Sequence, residues 1–196
     1  MGRSGWKIGM LGLVLLTVGC AQWRLKNSLE CFCGSQVRMP DDLEIVVDGA
    51  AVDSVAGCAL AKLVLYFPTD CCTSCSLSKL GDYNELFELC ERSEGRFALV
   101  PLFAPAEADY AAVHADLQLR TQPFPVYIDR HDAFRRLNPA LPDDARCRTF
   151  LIDRNDRVVL VGDPLAGEAL QTLFLHTLNN LLAHDGIYVP DNPSDR

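Results

Sequence analysis

The feature that most constrains this chain is a strand-to-helix junction that carries thiols. Leu63-Val64-Leu65-Tyr66-Phe67 is an unbroken apolar run, the pattern of a strand buried on both faces, and Pro68-Thr69-Asp70 ends it. From Ser74 to Glu91, residues Leu77, Leu80, Leu86, Phe87 and Cys90 fall on one helical face, and Gly95 closes the segment. Between the two lies Cys71-Cys72-Thr73-Ser74-Cys75. A doubly buried strand that leads directly into an amphipathic helix points to an α/β architecture.

The remaining pattern agrees. Leu43 to Val47 and Ala51 to Val55 flank Asp48-Gly49, a hairpin signal. Phe97 to Phe103 reads as a second apolar strand, Ala106 to Leu119 as a helix and Pro125 to Ile128 as a third strand. Thr149 to Ile152 and Val158 to Val161 are two further strands, joined through the turn-rich Asp153-Arg154-Asn155-Asp156. That connection is too short for a crossover, so the two strands run antiparallel. Leu170 to Leu182 supplies a closing helix. The expectation is a central mixed sheet flanked by helices, in one domain over residues 43–196.

The junction also carries the chemistry. Two cysteines spaced C-x-x-C at a helix start are close enough to form a disulfide. Unpaired N–H groups and the positive helix end there stabilise a thiolate and lower the pKa of the first cysteine below about 8.5. Cys72 is therefore the expected nucleophile and Cys75 the resolving thiol one turn inside, while Asp70 opposes thiolate formation by like charge. Cys90 reads as a core residue on the apolar helix face, and Cys58 as a packed residue before a strand. Cys31 and Cys33 form a C-x-C in a polar stretch. His114, His131, His176 and His184 have no paired ligand spacing, so no metal site is expected.

Composition narrows the function classes. With 196 residues and 49% apolar content the chain can bury a core, and nine cysteines are too dilute for a scaffold held by disulfides alone. A formal net charge of −8 argues against nucleic acid, whose phosphates are bound by Lys and Arg. At the start, Arg3 and Lys7 precede the apolar run Ile8 to Val18, which is too short to cross a bilayer and has the size of a signal-peptide core. Leu16-Thr17-Val18-Gly19-Cys20 resembles a bacterial lipobox, in which Cys20 becomes the lipid-bearing N-terminus. The expected organisation is a signal peptide over 1–19, a polar tether over 20–42 and the domain beyond. An exported protein meets an oxidising compartment, where thiols within reach of each other pair.

Several runs together resemble a known family. Lys62 to Cys75, Phe97 to Phe103, Phe124-Pro125-Val126-Tyr127-Ile128-Asp129, Thr149-Phe150-Leu151-Ile152-Asp153 and Val158-Val159-Leu160-Val161-Gly162 look like the thioredoxin-like lipoproteins of the redoxin class, relatives of the TlpA/ResA-type thiol–disulfide oxidoreductases. The resemblance spans roughly residues 43–182. It implies a thioredoxin-like fold, no organic cofactor, and electron transfer by disulfide exchange at Cys72 and Cys75. It also implies partners that are protein thiols or disulfides of the cell envelope, with attachment to the membrane through the N-terminal lipid on the periplasmic or extracytoplasmic side. Three positions depart from the family pattern. Cys71 stands where an aromatic residue usually precedes the first cysteine, Tyr66 where thioredoxin has a buried Asp, and Cys147 where a cis-proline is usual. If that alignment holds, Cys147 faces the C-x-x-C and joins Cys71 as an auxiliary redox thiol.

Three other readings stay open on the same residues. A non-catalytic envelope binding module would keep the fold without the exchange chemistry. A peroxidase pattern, P-x-x-x-[TS]-x-x-C, matches Pro68 and Cys75 but has Cys72 in the hydroxyl position. A copper-binding pattern matches Cys71-x-x-x-Cys75, with His131 as the candidate distal ligand.

Overall fold

A computed structural model describes residues 26–54, 59–71, 73–120 and 124–190. The signal segment, Cys20, Cys58 and Cys72 lie outside the described residues. Strands β1 (Glu44–Val47), β2 (Ala50–Val52), β3 (Ala61–Phe67), β4 (Phe97–Phe103), β5 (Val126–Ile128), β6 (Thr149–Asp153) and β7 (Val158–Val161) form one seven-stranded sheet in the order β2-β1-β5-β4-β3-β6-β7. β3 runs parallel to β4, with Ala61 opposite Phe97 and Phe67 opposite Phe103, and antiparallel to β6. β6 and β7 are antiparallel, as their short connection requires. This is the mixed sheet that the pattern of apolar runs anticipates.

β3 lies inside the sheet, between β4 and β6, because both its faces are apolar. Leu63 and Leu65 enter one core layer, with Leu77, Phe174, Leu178 and Leu181. Val64 and Tyr66 enter the other, with Phe32, Phe134, Phe150 and Val158. The hairpin β1–β2 turns through Asp48 and Gly49, with φ of 49° and 75°. Positive φ at both central residues is what a tight two-residue hairpin needs. A side chain at Gly49 would also meet the Gln118 backbone at 3.0 Å.

The helices depart from expectation in two places. Residues 26–32 form a helix, α1, and do not run as free tether: Phe32 is 1% exposed and Val37 3%. Their apolar side chains bury against β6 and β7, and Gly34, Ser35 and Val37 hydrogen-bond along Val158 and Asp156. The helix expected over 74–91 is broken into α2 (Thr73–Lys79), a 3-10 turn (Leu80–Tyr83) and α3 (Asn84–Arg92). Leu80 and Tyr83 are both buried, and a 3-10 turn aligns residues three apart on one side, whereas Gly81 weakens a continued α-helix. After α4 (Tyr110–Leu119), a short helix α5 (Ala133–Leu137) follows β5. The buried Asp129 carboxylate nucleates it, accepting from the backbone N–H groups of Ala133 (2.9 Å) and Phe134 (2.6 Å). The final helix α6 (Glu168–Ala183) lies where the late apolar repeat places it.

Candidate functional site

At the C-terminal end of β3 the chain turns through Pro68 and Asp70, closed by the Cys71 N–H on the Pro68 carbonyl at 3.0 Å. Cys71 is half-buried and keeps a free thiol. Its sulfur accepts a hydrogen bond from Arg148 Nη1 at 3.0 Å, while Nη2 of the same guanidinium holds Asp70 Oδ2 at 2.8 Å. One arginine therefore bridges the carboxylate and the thiol.

Arg148 reaches this point because of strand register. Leu65 is opposite Thr149 in the β3–β6 ladder, and the Tyr66 N–H donates to the Arg148 carbonyl at 2.9 Å. The residue before β6 is thereby held against the end of β3. Sequence reasoning missed Arg148. The signal that could have found it is its place immediately before an antiparallel strand that pairs with the strand leading to the cysteines.

Tyr66, one residue before the end of β3, is 3% exposed, and its hydroxyl donates to Asp132 Oδ1 at 2.6 Å. Burial, then the contact with Asp132, raises its pKa. Tyr66 therefore stays neutral, and the ionisable carboxylate nearest that face comes from Asp132 ahead of α5. Tyr66, Asp70, Asp132, Arg135 and Arg148 border a cavity of about 340 Å³ beside Cys71. It is a polar recess with both signs of charge on its walls.

Cys75 sits exposed on the first turn of α2 and is disulfide-bonded. The cysteines Cys31, Cys33, Cys71, Cys90 and Cys147 are free thiols, so the partner of Cys75 lies outside the described residues. Cys147 is buried in the 3-10 turn Ala145–Cys147 before β6. Burial pushes its thiol pKa up, as does Asp144, against an opposing effect of Arg146, and Cys33 adds to the rise. The structure thus sets Cys147 in electrostatic reach of Cys33, and it is the neighbouring Arg148 that contacts Cys71. Cys90 is a packed residue as expected, its thiol pushed up to about 12 by burial. Among the described residues no cluster of His, Cys, Asp and Glu is arranged to hold a metal ion. His114 contacts Glu44 at 2.9 Å on the far side of the sheet.

No protein-family model and no curated protein matches the chain. Several solved structures are similar. A provisionally assigned protein disulfide isomerase from Bacteroides thetaiotaomicron aligns with TM-score 0.49 and 18% identity, over 77% of this chain and 90% of that one. A thioredoxin-like protein from Porphyromonas gingivalis gives 0.49 and 16%, over 76% and 95%. A provisionally assigned thiol:disulfide interchange protein DsbE from Chlorobium tepidum gives 0.48 and 20%, over 76% and 99%. The chain has an α/β fold with a mixed sheet, in which β4-β3-β6-β7 pairs parallel and then antiparallel, and the cysteine cluster follows β3. Among the described residues no helix is long and apolar enough to cross a membrane.

Proposed function

We propose that this chain is an exported thiol–disulfide oxidoreductase, anchored by lipid at Cys20 on the extracytoplasmic side of a bacterial membrane, with Cys72 and Cys75 as its redox pair. The observation that carries the reading is the disulfide at Cys75, exposed on the first turn of the helix that follows β3 and four residues after Cys71, which Arg148 contacts. Cys72, three positions earlier, is the partner at the spacing that suits one helical turn.

In the reduced chain the Cys72 thiolate attacks one sulfur of a substrate disulfide, forming a mixed disulfide and releasing the other substrate sulfur as a thiolate. Cys75, deprotonated, then attacks the Cys72 sulfur. The substrate leaves as a dithiol after taking up protons, and the Cys72–Cys75 disulfide remains. Two electrons have passed from the chain to the substrate, and an external dithiol returns them. With an oxidised chain and a dithiol substrate the same steps run in reverse. Arg148 supplies fixed positive charge at this centre, and Cys71 is an auxiliary thiol within it. Substrates of this class are proteins of the cell envelope, which expose disulfides or thiols to the recess beside Cys71.

The test is disulfide exchange by the full chain, followed with a fluorescent peptide disulfide and dithiothreitol. Cys72→Ser should be inactive, and Cys75→Ser should accumulate the mixed disulfide on Cys72. Unchanged turnover in Cys72→Ser would overturn the assignment. Mass analysis of membrane-associated protein should find a diacylglyceryl group on Cys20, and cleavage elsewhere would remove the anchor.

A further inference from the structure

Two further cysteines, Cys33 and Cys147, lie on neighbouring elements away from the C-x-x-C. Cys147, 1% exposed, forms part of the wall of an apolar cavity of about 500 Å³, together with Leu29, Val161, Gly162 and Leu170. Leu29 belongs to α1, and the Cys33 N–H donates to the Leu29 carbonyl at 2.8 Å, so Cys33 stands one turn further along the same helix face. Its neighbours on both sides are held against the β6–β7 pair. The Phe32 ring packs edge-on against Phe150, with centroids 5.0 Å apart, and Phe150 lies in β6, the strand that follows Cys147. The Gly34 N–H donates to the Val158 carbonyl at 2.8 Å. Cys31, two positions earlier, is exposed and cannot share that direction on a helix. The electrostatic effect of Cys33 on Cys147 agrees with this placement.

We infer that Cys33 and Cys147 are a second dithiol pair, whose oxidation clasps helix α1 to the turn that carries Arg148. This goes beyond the exchange chemistry proposed for Cys72 and Cys75 and does not depend on it. The oxidant is a small-molecule or protein disulfide. The more exposed Cys33 attacks it as thiolate, forming a mixed disulfide and expelling one thiolate. Cys147, losing its proton to solvent, then attacks the Cys33 sulfur and expels the second. The balance is two thiols and one disulfide giving one new disulfide and two thiols. Burial raises the pKa of both cysteines, so the thiolates are scarce at neutral pH and closure quickens as pH rises. The closed clasp would hold the backbone next to Arg148, and through it the contact with Cys71.

The test is oxidation of the full chain by glutathione disulfide at pH 8, followed by alkylation of free thiols. Digestion should use a protease directed at acidic residues, because Arg146 and Arg148 flank Cys147 and trypsin would leave it on too short a peptide. A cross-linked peptide pair joining Cys33 to Cys147 is expected. It should vanish in Cys33→Ser, an exposed position that leaves folding intact, and persist in Cys31→Ser. It should also persist in Cys72→Ser, so a failure of the exchange reaction leaves this result readable. Cys147 recovered fully alkylated, or linked to Cys31 or Cys71, would overturn the proposal. So would glutathione retained on Cys33 with Cys147 still free.

Discussion

Cys71 and Cys90 lie at opposite ends of one thiol-rich segment and occupy opposite environments. Cys71 is half-buried at the end of β3, with a guanidinium 3.0 Å from its sulfur and a carboxylate on the same guanidinium. Cys90 sits against the apolar core near Phe87 and Leu99, and burial pushes its thiol up to about 12. The residue type is the same, and the surroundings differ: one sulfur meets a guanidinium, and the other packs where burial disfavours the thiolate. A short stretch of sequence can thus supply both a reactive centre and a packing group. The C-x-x-C lies at the Cys71 end, where the protein keeps fixed positive charge and access to solvent.

The largest effect expected from this contrast is complete loss of disulfide exchange when the cysteines at the reactive end are changed. Cys75→Ala should remove turnover, and Cys90→Ala should leave it within about twofold, measured with the same peptide disulfide. Equal losses in the two variants would break the comparison, because the packed thiol would then matter as much as the exposed one.

The next effect is kinetic. A thiol with a pKa of about 12 is about one part in ten thousand thiolate at pH 8, whereas an ordinary cysteine near 8.5 is about a quarter thiolate. Peptide-resolved alkylation at pH 8 should therefore modify Cys90 about a thousandfold more slowly than a free cysteine, before any steric slowing is counted. Its raised pKa means that the rate climbs about tenfold per pH unit until roughly pH 12 and levels only beyond it. Fast labelling of Cys90 at pH 8 would show that α3 opens readily and would erase the contrast.

A smaller effect belongs to Arg148. Its guanidinium ties Asp70 to the Cys71 sulfur, and a charge-assisted contact contributes on the order of 1.5 kcal/mol. Arg148→Ala should loosen the turn, so that protection of the Cys71 amide against hydrogen exchange falls by about tenfold, and Arg148→Lys should recover part of it. Unchanged protection in Arg148→Ala would mean that the contact does not hold the turn.

These contrasts also explain what could be read in advance. β3, β4, β6 and β7 were legible because continuous apolar runs have one economical use in an α/β sheet, and the turn residues between β6 and β7 settle their direction. The C-x-x-C spacing of Cys72 and Cys75 is a local motif, and of the two the structure describes Cys75. Helix α1 was not legible, because Phe32 and Val37 are isolated apolar residues in a polar stretch, and their burial depends on β6 and β7, more than a hundred positions away. The charge-rich stretch Asp129 to Arg136 reads as a solvated loop and helix, and the helix α5 is there, but its cap Asp129 is buried and not solvated. Arg148 and the nearness of Cys33 to Cys147 needed strand register and helix packing, and neither is written in local spacing. The long helix expected after the cysteines also changes the physical account. α2 spans seven residues before the 3-10 turn, so fixed positive charge at the site comes from Arg148 as well as from the helix end.

The smallest expected effect is on stability, and it runs opposite to reactivity. Cys90 packs against the core, so Cys90→Ala removes a partly buried sulfur and its contacts, costing about 1 kcal/mol. Cys71 is half-exposed at a turn whose backbone bond to Pro68 does not involve its side chain, so Cys71→Ala should stay within about 0.5 kcal/mol. Arg148 would keep its ion pair with Asp70 in that variant, which limits the loss further. Urea unfolding of both variants, with the Cys75 disulfide intact, resolves a difference of this size if the m-values match the parent. A Cys71→Ala variant as destabilised as Cys90→Ala would place Cys71 among the packing residues. The Arg148 contact would then be a structural tie between β3 and β6, and the distinction between the two ends of the segment would narrow to reactivity alone.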